Sequence, residues 1–251
     1  MSFGGKLDKL DLQYCTGIEH LGRQFKTYIN LTELSILECG EIDWQWFECT
    51  RKVNHLYLKL NEAAKKFIDL AKLVDNMPGI CVLQIDGYFL KSLEPGAAIM
   101  KRLMPKMEAL KQLNLDNVGF YDLVQIQNVI GLIRISPNLQ KLIIELEPKV
   151  KSGNGMNLSE SGELVVSPVV QYLQSPDLID LIFNQPETVE IEVLVDSTEL
   201  QFIKLLLTSS PSLRRMEISH YVIKDPEEAL RILAELVRFP RASTTAEITW
   251  M

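Results

Sequence analysis

Leu110-Lys111-Gln112-Leu113-Asn114-Leu115-Asp116 is the stretch whose reading decides the fold. Its aliphatic residues follow the pattern L-x-x-L-x-L. The second half alternates with a period of two, as a β-strand does. Leu113 and Leu115 therefore turn to one side, and Gln112, Asn114 and Asp116 to the other. One such strand has nothing of its own on which to bury its apolar side.

The same pattern recurs along the chain, with any aliphatic residue allowed at L. Copies stand at Leu7, Leu10, Leu12; Leu31, Leu34, Ile36; Val53, Leu56, Leu58; and Ile80, Leu83, Ile85. Beyond Leu110 they continue at Leu139, Leu142, Ile144 and at Leu213, Met216, Ile218, with a weaker copy at Pro186, Val189, Ile191. From Leu7 the starts lie 24, 22, 27, 30 and 29 residues apart, then 47, then 27. Most of these intervals fall near the leucine-rich-repeat period of about 20 to 29 residues. Stacked copies bury a shared spine. The pattern predicts an α/β leucine-rich-repeat solenoid: a curved parallel β-sheet, with helices and irregular segments on its convex side.

Between the strands, Glu62–Asn76, Asp122–Ile135, Pro168–Gln174, Thr198–Ser209 and Asp225–Phe239 read as helices. Thr198 and Asp225 are the expected N-caps of the last two. Pro226 suits a first helical turn, and Glu227 and Glu228 suit the positive end of the dipole. Ser136-Pro137 and Ser210-Pro211 stop the helices before them. The chain then divides into repeats at 1–147, a flexible glycine- and serine-rich surface loop at 148–167, and a C-terminal module at 168–251 that continues and caps the stack. Alternating strands and helices also occur in doubly wound nucleotide-binding sheets. No G-x-G-x-x-G or G-x-x-x-x-G-K-[ST] follows a strand here, so the solenoid is the better reading.

Composition bounds the function. The net charge is −7 over 251 residues, and a negative field disfavours phosphate backbones, so no nucleic-acid partner is expected. The start, Met1-Ser2-Phe3-Gly4-Gly5-Lys6, lacks the apolar core of a signal peptide. The apolar runs are too short to span a bilayer. The expected setting is intracellular and soluble, in cytoplasm or nucleus, with no membrane partner. Cys15, Cys39, Cys49 and Cys81 are accordingly expected as free thiols.

Little in the chain suggests chemistry. No C-x-x-C occurs, and no histidine stands at a metal-ligand spacing from a cysteine. His20, His55 and His220 are scattered. Cys15, Cys39 and Asn61 each follow the last L of a copy by three residues, where such a repeat turns a side chain inward onto backbone. No enzyme, cofactor or metal is therefore expected. Trp44 and Trp46, beside Gln45, read as buried in a return segment, with an exposed interface pair as the other possibility.

The residues expected to meet a protein partner are the x positions on the concave face. They are His55, Tyr57, Lys59, Gln84, Asp86, Asn114, Asp116, Glu145, Glu190, Glu192 and Glu217. Strands spaced about 4.8 Å apart would align the acids among them into one stripe, attractive to a basic partner. An N-terminal edge without a capping repeat is also expected to favour self-association.

The C-terminal segment carries a resemblance. It includes Glu199-Leu200-Gln201-Phe202-Ile203-Lys204-Leu205-Leu206-Leu207, Ser210-Pro211-Ser212-Leu213-Arg214-Arg215-Met216, Leu230–Phe239 and Ala246-Glu247-Ile248. This resembles the FBD domain that closes plant F-box/FBD/LRR-repeat proteins. Gly87–Lys91 and Leu132–Gln140 resemble the repeats before it. The resemblance implies the substrate-recognition part of an SCF ubiquitin-ligase receptor, which binds a protein target. In that family an upstream F-box docks on a Skp-type adaptor. This sequence opens in a repeat at Leu7, so it reads as the C-terminal portion, and adaptor binding is expected only where an F-box lies upstream. The other reading is an F-box-less scaffold or competitor that binds the target without delivering ubiquitin.

Overall fold

The computed structural model describes residues 7–16, 30–39, 50–60, 70–93, 97–147, 167–179, 181–194, 196–220 and 226–251. Nine strands cross it: β1 (Lys9–Gln13), β2 (Glu33–Leu37), β3 (His55–Lys59), β4 (Val82–Asp86), β5 (Gln112–Val118), β6 (Lys141–Leu146), β7 (Thr188–Val193), β8 (Arg215–His220) and β9 (Glu247–Trp250). They form one parallel sheet in the order of the chain, β1 to β9. A doubly wound sheet reverses its strand order partway; this one does not.

The register is that of the repeated pattern. Leu10 pairs with Leu34, Leu34 with Leu56, Leu56 with Leu83, and Leu83 with Leu113. The row continues through Leu142, Val189, Met216 and Ile248. A second row runs from Leu12 through Ile36, Leu58, Ile85, Leu115, Ile144, Ile191 and Ile218 to Trp250. From β2 to β8 every member of both rows is buried. At the two ends the same positions, Leu10, Leu12, Ile248 and Trp250, are only partly covered.

One backbone device repeats at the start of each strand from β2 to β8. The carbonyl oxygen of Asp8 accepts from the amides of both Thr32 and Glu33, at 2.8 and 3.0 Å. Thr32, Asn54, Cys81, Lys111, Gln140 and Glu187 each offer a carbonyl to two successive amides of the next copy. Each copy is thus fixed to its predecessor by a forked bond.

The return segments supply eight helices among the described residues: α1 (Leu70–Asp75), α2 (Gly87–Ser92), α3 (Ala97–Leu103), α4 (Leu123–Ile135), α5 (Pro168–Leu173), α6 (Pro176–Ile179), α7 (Ser197–Ser209) and α8 (Pro226–Arg238). Their apolar sides join the strand rows in one core, where the rings of Phe120 and Phe202 meet edge to face at 5.1 Å. The expected helices over Asp122–Ile135 and Pro168–Gln174 appear as α4 and α5. Only the end of the Glu62–Asn76 helix, as α1, lies within the described residues.

Three details differ from expectation. The N-cap of α7 is Asp196, not Thr198. The Asp196 side chain accepts from the amides of Thr198 and Glu199, and Glu199 returns a bond to the Asp196 amide. Such a reciprocal box satisfies two amides that the helix leaves unpaired, which Thr198 at the second helical position cannot do. The sheet also has a ninth strand, Glu247–Trp250, beyond the eight copies read from the sequence. Finally, Asp86 turns into the fold. Its carboxylate caps α2, accepting from the Phe89 amide at 2.8 Å, and the residue is fully buried.

Asp225, Asn61, Cys49, His20, Trp44, Trp46 and residues 148–166 lie outside the described residues.

Candidate functional site: the outer face of the sheet

Alternation leaves the x side chains of the nine strands, Asp86 excepted, on the face opposite the core. They fall into rows set by the register. The middle row holds Asp11, Ser35, Tyr57, Gln84, Asn114, Ile143, Glu190, Glu217 and Thr249. Lys59, Asp86, Asp116, Glu145 and Glu192 occupy the third x position of their strands, toward the C-terminal ends. The acids therefore stand in two rows rather than in the single stripe expected.

Two of the middle-row acids are neutralised, whereas Asp11 only accepts from Gln13 Nε2 at 2.9 Å. Glu190 pairs with Lys141 at 2.7 Å, and Glu217 pairs with Arg215 of its own strand. Nearby, Gln84 donates from Nε2 to Asp116 Oδ2 at 2.7 Å, and Asn114 Oδ1 accepts from Gln112 at 3.0 Å. His55 Nδ1 meets Asn54 Oδ1 at 2.8 Å, and Tyr57 is half-buried beside Ser35.

The third row concentrates the negative charge. Gln13 and Leu37 precede Lys59 in it, and Lys59 is held by Glu38 at 2.7 Å. That hydrogen bond, against some desolvation, raises the Lys59 pKa. Asp86 follows. Burial pushes its carboxyl from 3.8 up to about 6; the Phe89 and Leu60 amides and Lys59 pull it down, and Asp116 pushes it up. Asp116 is also raised, chiefly by burial, with the Gln84 hydrogen bond and Lys59 opposing. Glu145 is raised by partial burial and then by the charges of Asp116 and Glu192. These carboxylates sense one another across neighbouring strands, and Glu145 and Glu192 have neither an ion pair nor a hydrogen bond among the described residues.

Above this row lies a rim that the sequence reading missed. Tyr14, Tyr88 and Tyr121 are 71%, 36% and 57% exposed and follow β1, β4 and β5. Tyr121 donates to Glu147, and Lys91 pairs with Asp122 at 3.0 Å. Amphipathic tyrosines of this kind are common anchors at protein interfaces. Their signal in the sequence was a tyrosine within a few residues of each strand end. The rim is also where the backbone turns sharply: Tyr14, Glu38 and Asn117, each one past an expected x position, adopt φ of 53°, 50° and 52°.

Of the cysteines, Cys39 is buried and donates to the Leu12 carbonyl of the preceding copy at 3.4 Å, and burial raises its thiol pKa. Cys15 bonds its own turn, at the Gln13 carbonyl, and Cys81 bonds the Asn54 carbonyl at 3.3 Å. All three are free thiols. Among the described residues no group of three or more His, Cys, Asp or Glu could hold a metal ion, and no helix is long and apolar enough to cross a membrane. His220 ends β8 with its ring 5.1 Å from that of Trp250. Comparison with known proteins finds no family model that matches the chain and no curated protein that matches it.

Proposed function

We propose that the chain is a non-catalytic protein-binding module, built as a leucine-rich-repeat solenoid and related to the substrate-recognition part of SCF ubiquitin-ligase receptors. The observation that carries this reading is the outer face. Nine strands in chain order present one largely polar face, and its third row carries two carboxylates, Glu145 and Glu192, without basic partners among the described residues. The intervals between copies support the repeat class, and the FBD-like segment supports the ligase relationship. The mechanism is positioning. A target carrying a basic segment is drawn to Asp116, Glu145 and Glu192 and held near a ubiquitin-charged enzyme that other subunits supply. Tyr88 and Tyr121 flank that segment. No side chain here makes or breaks a bond, and the setting is intracellular.

A pull-down from plant extract tests both halves. The chain is used alone, with an added F-box segment, and with that segment plus Glu145→Lys and Glu192→Lys. The Skp-type adaptor is expected only when the segment is present. A defined set of further proteins is expected with the unsubstituted face and lost on charge reversal. Adaptor bound by the chain alone, or recovery indifferent to the reversal, would sink the reading.

A further inference from the structure

Both ends of the sheet expose an unfinished cross-section. Leu10 and Leu12 are partly exposed on β1, whereas Leu34 and Ile36 beside them are 4% and 1% exposed. On β9, Ile248 and Trp250 are partly exposed, whereas Met216 and Ile218 are fully buried. Among the described residues no strand pairs with the outer edge of either.

The hydrogen-bonding phase of the two edges is complementary. In a parallel ladder a residue's amide and carbonyl face the same neighbour, and successive residues alternate. On β1 the Asp8 carbonyl and the Tyr14 amide face β2. Leu10 and Leu12 share that side, so Lys9, Asp11 and Gln13 face outward. On β9 the Glu247 and Met251 amides face β8, so Ile248 and Trp250 face outward. A β1 laid beside β9 in the register of the existing sheet therefore meets donors with acceptors along its length. In that register Leu10 lies beside Ile248, Leu12 beside Trp250, and Lys9 beside Glu247. Lys9 is 62% exposed and reaches Glu33 on its other side. It would sit between two glutamates, as a cation between two anions.

We infer that a second copy of this chain docks end to end, β9 of one copy against β1 of the next, continuing the parallel sheet through the junction. The contact is heterologous, so copies add head to tail, as an open series or a ring of several copies, rather than pairing as a two-fold dimer.

Sedimentation velocity on the full chain, from about 1 to 200 µM, tests this. The expected result is a sedimentation coefficient that climbs with concentration past that of a dimer. Lys9→Glu and Glu247→Lys are each expected to weaken association about fivefold or more, since each replaces an attraction with a repulsion. Mixing the two variants restores it, because each junction between unlike copies is again oppositely charged. Circular dichroism and melting confirm that both variants fold. A monomer throughout the range, a species that stops at two copies, or association that ignores the substitutions or is not restored by mixing overturns the inference.

Discussion

Asp86 shows how a single residue in a repeat changes task. Its sequence position is that of an outward side chain, yet it is buried and caps α2. Its folded pKa, about 6, lies above the unfolded value of 3.8. The folded state therefore holds the proton more tightly. The stabilisation from this group is full below about pH 4 and is lost as the pH rises through about 6. Asp86→Asn keeps an oxygen for the Phe89 amide without the charge. It is expected to flatten stability across that window and to raise it at pH 7 by on the order of 2 kcal/mol, as read by urea melts at several pH values. A drop at pH 7 would show that the charged form is preferred. Next to it, a Cβ on Gly87 would stand 2.2 Å from the Asn117 carbonyl oxygen. Gly87→Ala is expected to cost about 1 to 3 kcal/mol through backbone displacement; an unchanged melting temperature would contradict this close approach. Neither role was legible in the sequence. Period-two alternation tells which side a residue leaves the strand, but Asp86 turns back under a helix, and Gly87 is constrained by a carbonyl from the next copy.

At the scale of elements, helix ends depend on local chemistry. Asp196-Ser197-Thr198-Glu199 contains the reciprocal box of α7. Thr198, the first residue of the expected helix, is a cap-forming type, but the paired Asp196 and Glu199 at a spacing of three are the stronger signal. Asp196→Ala is expected to lose about 1 kcal/mol, within a range up to 2, while Thr198→Ala should lose less, a contrast that denaturant melts would reveal. α4 shows how a helix is tied to its neighbours. Buried Asn128 donates to the Leu90 carbonyl at 2.8 Å, and Gln125 accepts from the Gly119 amide at 2.9 Å. The strands were the most legible elements, because Leu-x-Leu fixes both period and side. β9 escaped because Thr245, exposed, stands where Leu213 stands one copy earlier, leaving only Ile248 and Trp250 to announce it.

For the whole molecule, stability should vary along the stack. Leu83, Leu113 and Leu142 are fully buried, whereas their counterparts at the ends are partly open. Amide hydrogen exchange is expected to be slowest in β4–β6 and faster in β1 and β9; uniform protection would argue against this gradient. Leu113→Ala is expected to cost about 3 to 5 kcal/mol, and Leu10→Ala markedly less. The candidate face was legible in its membership but not in its grouping. The residues emerge on one side as alternation requires, but which acids stand in one row depends on register, and which are neutralised depends on Lys141 and Arg215.

The forked carbonyl bonds have a consequence for how such a chain can change length. Gln140 grips Glu187 and Thr188 across a long excursion in the same way that Lys111 grips Gln140 and Lys141 across a short one. The grip is indifferent to how far the chain has wandered in between. A foreign peptide spliced into that excursion ahead of α5 should leave every strand in place, so the chain can gain residues there, in evolution or by design, while the sheet beside it stays the same.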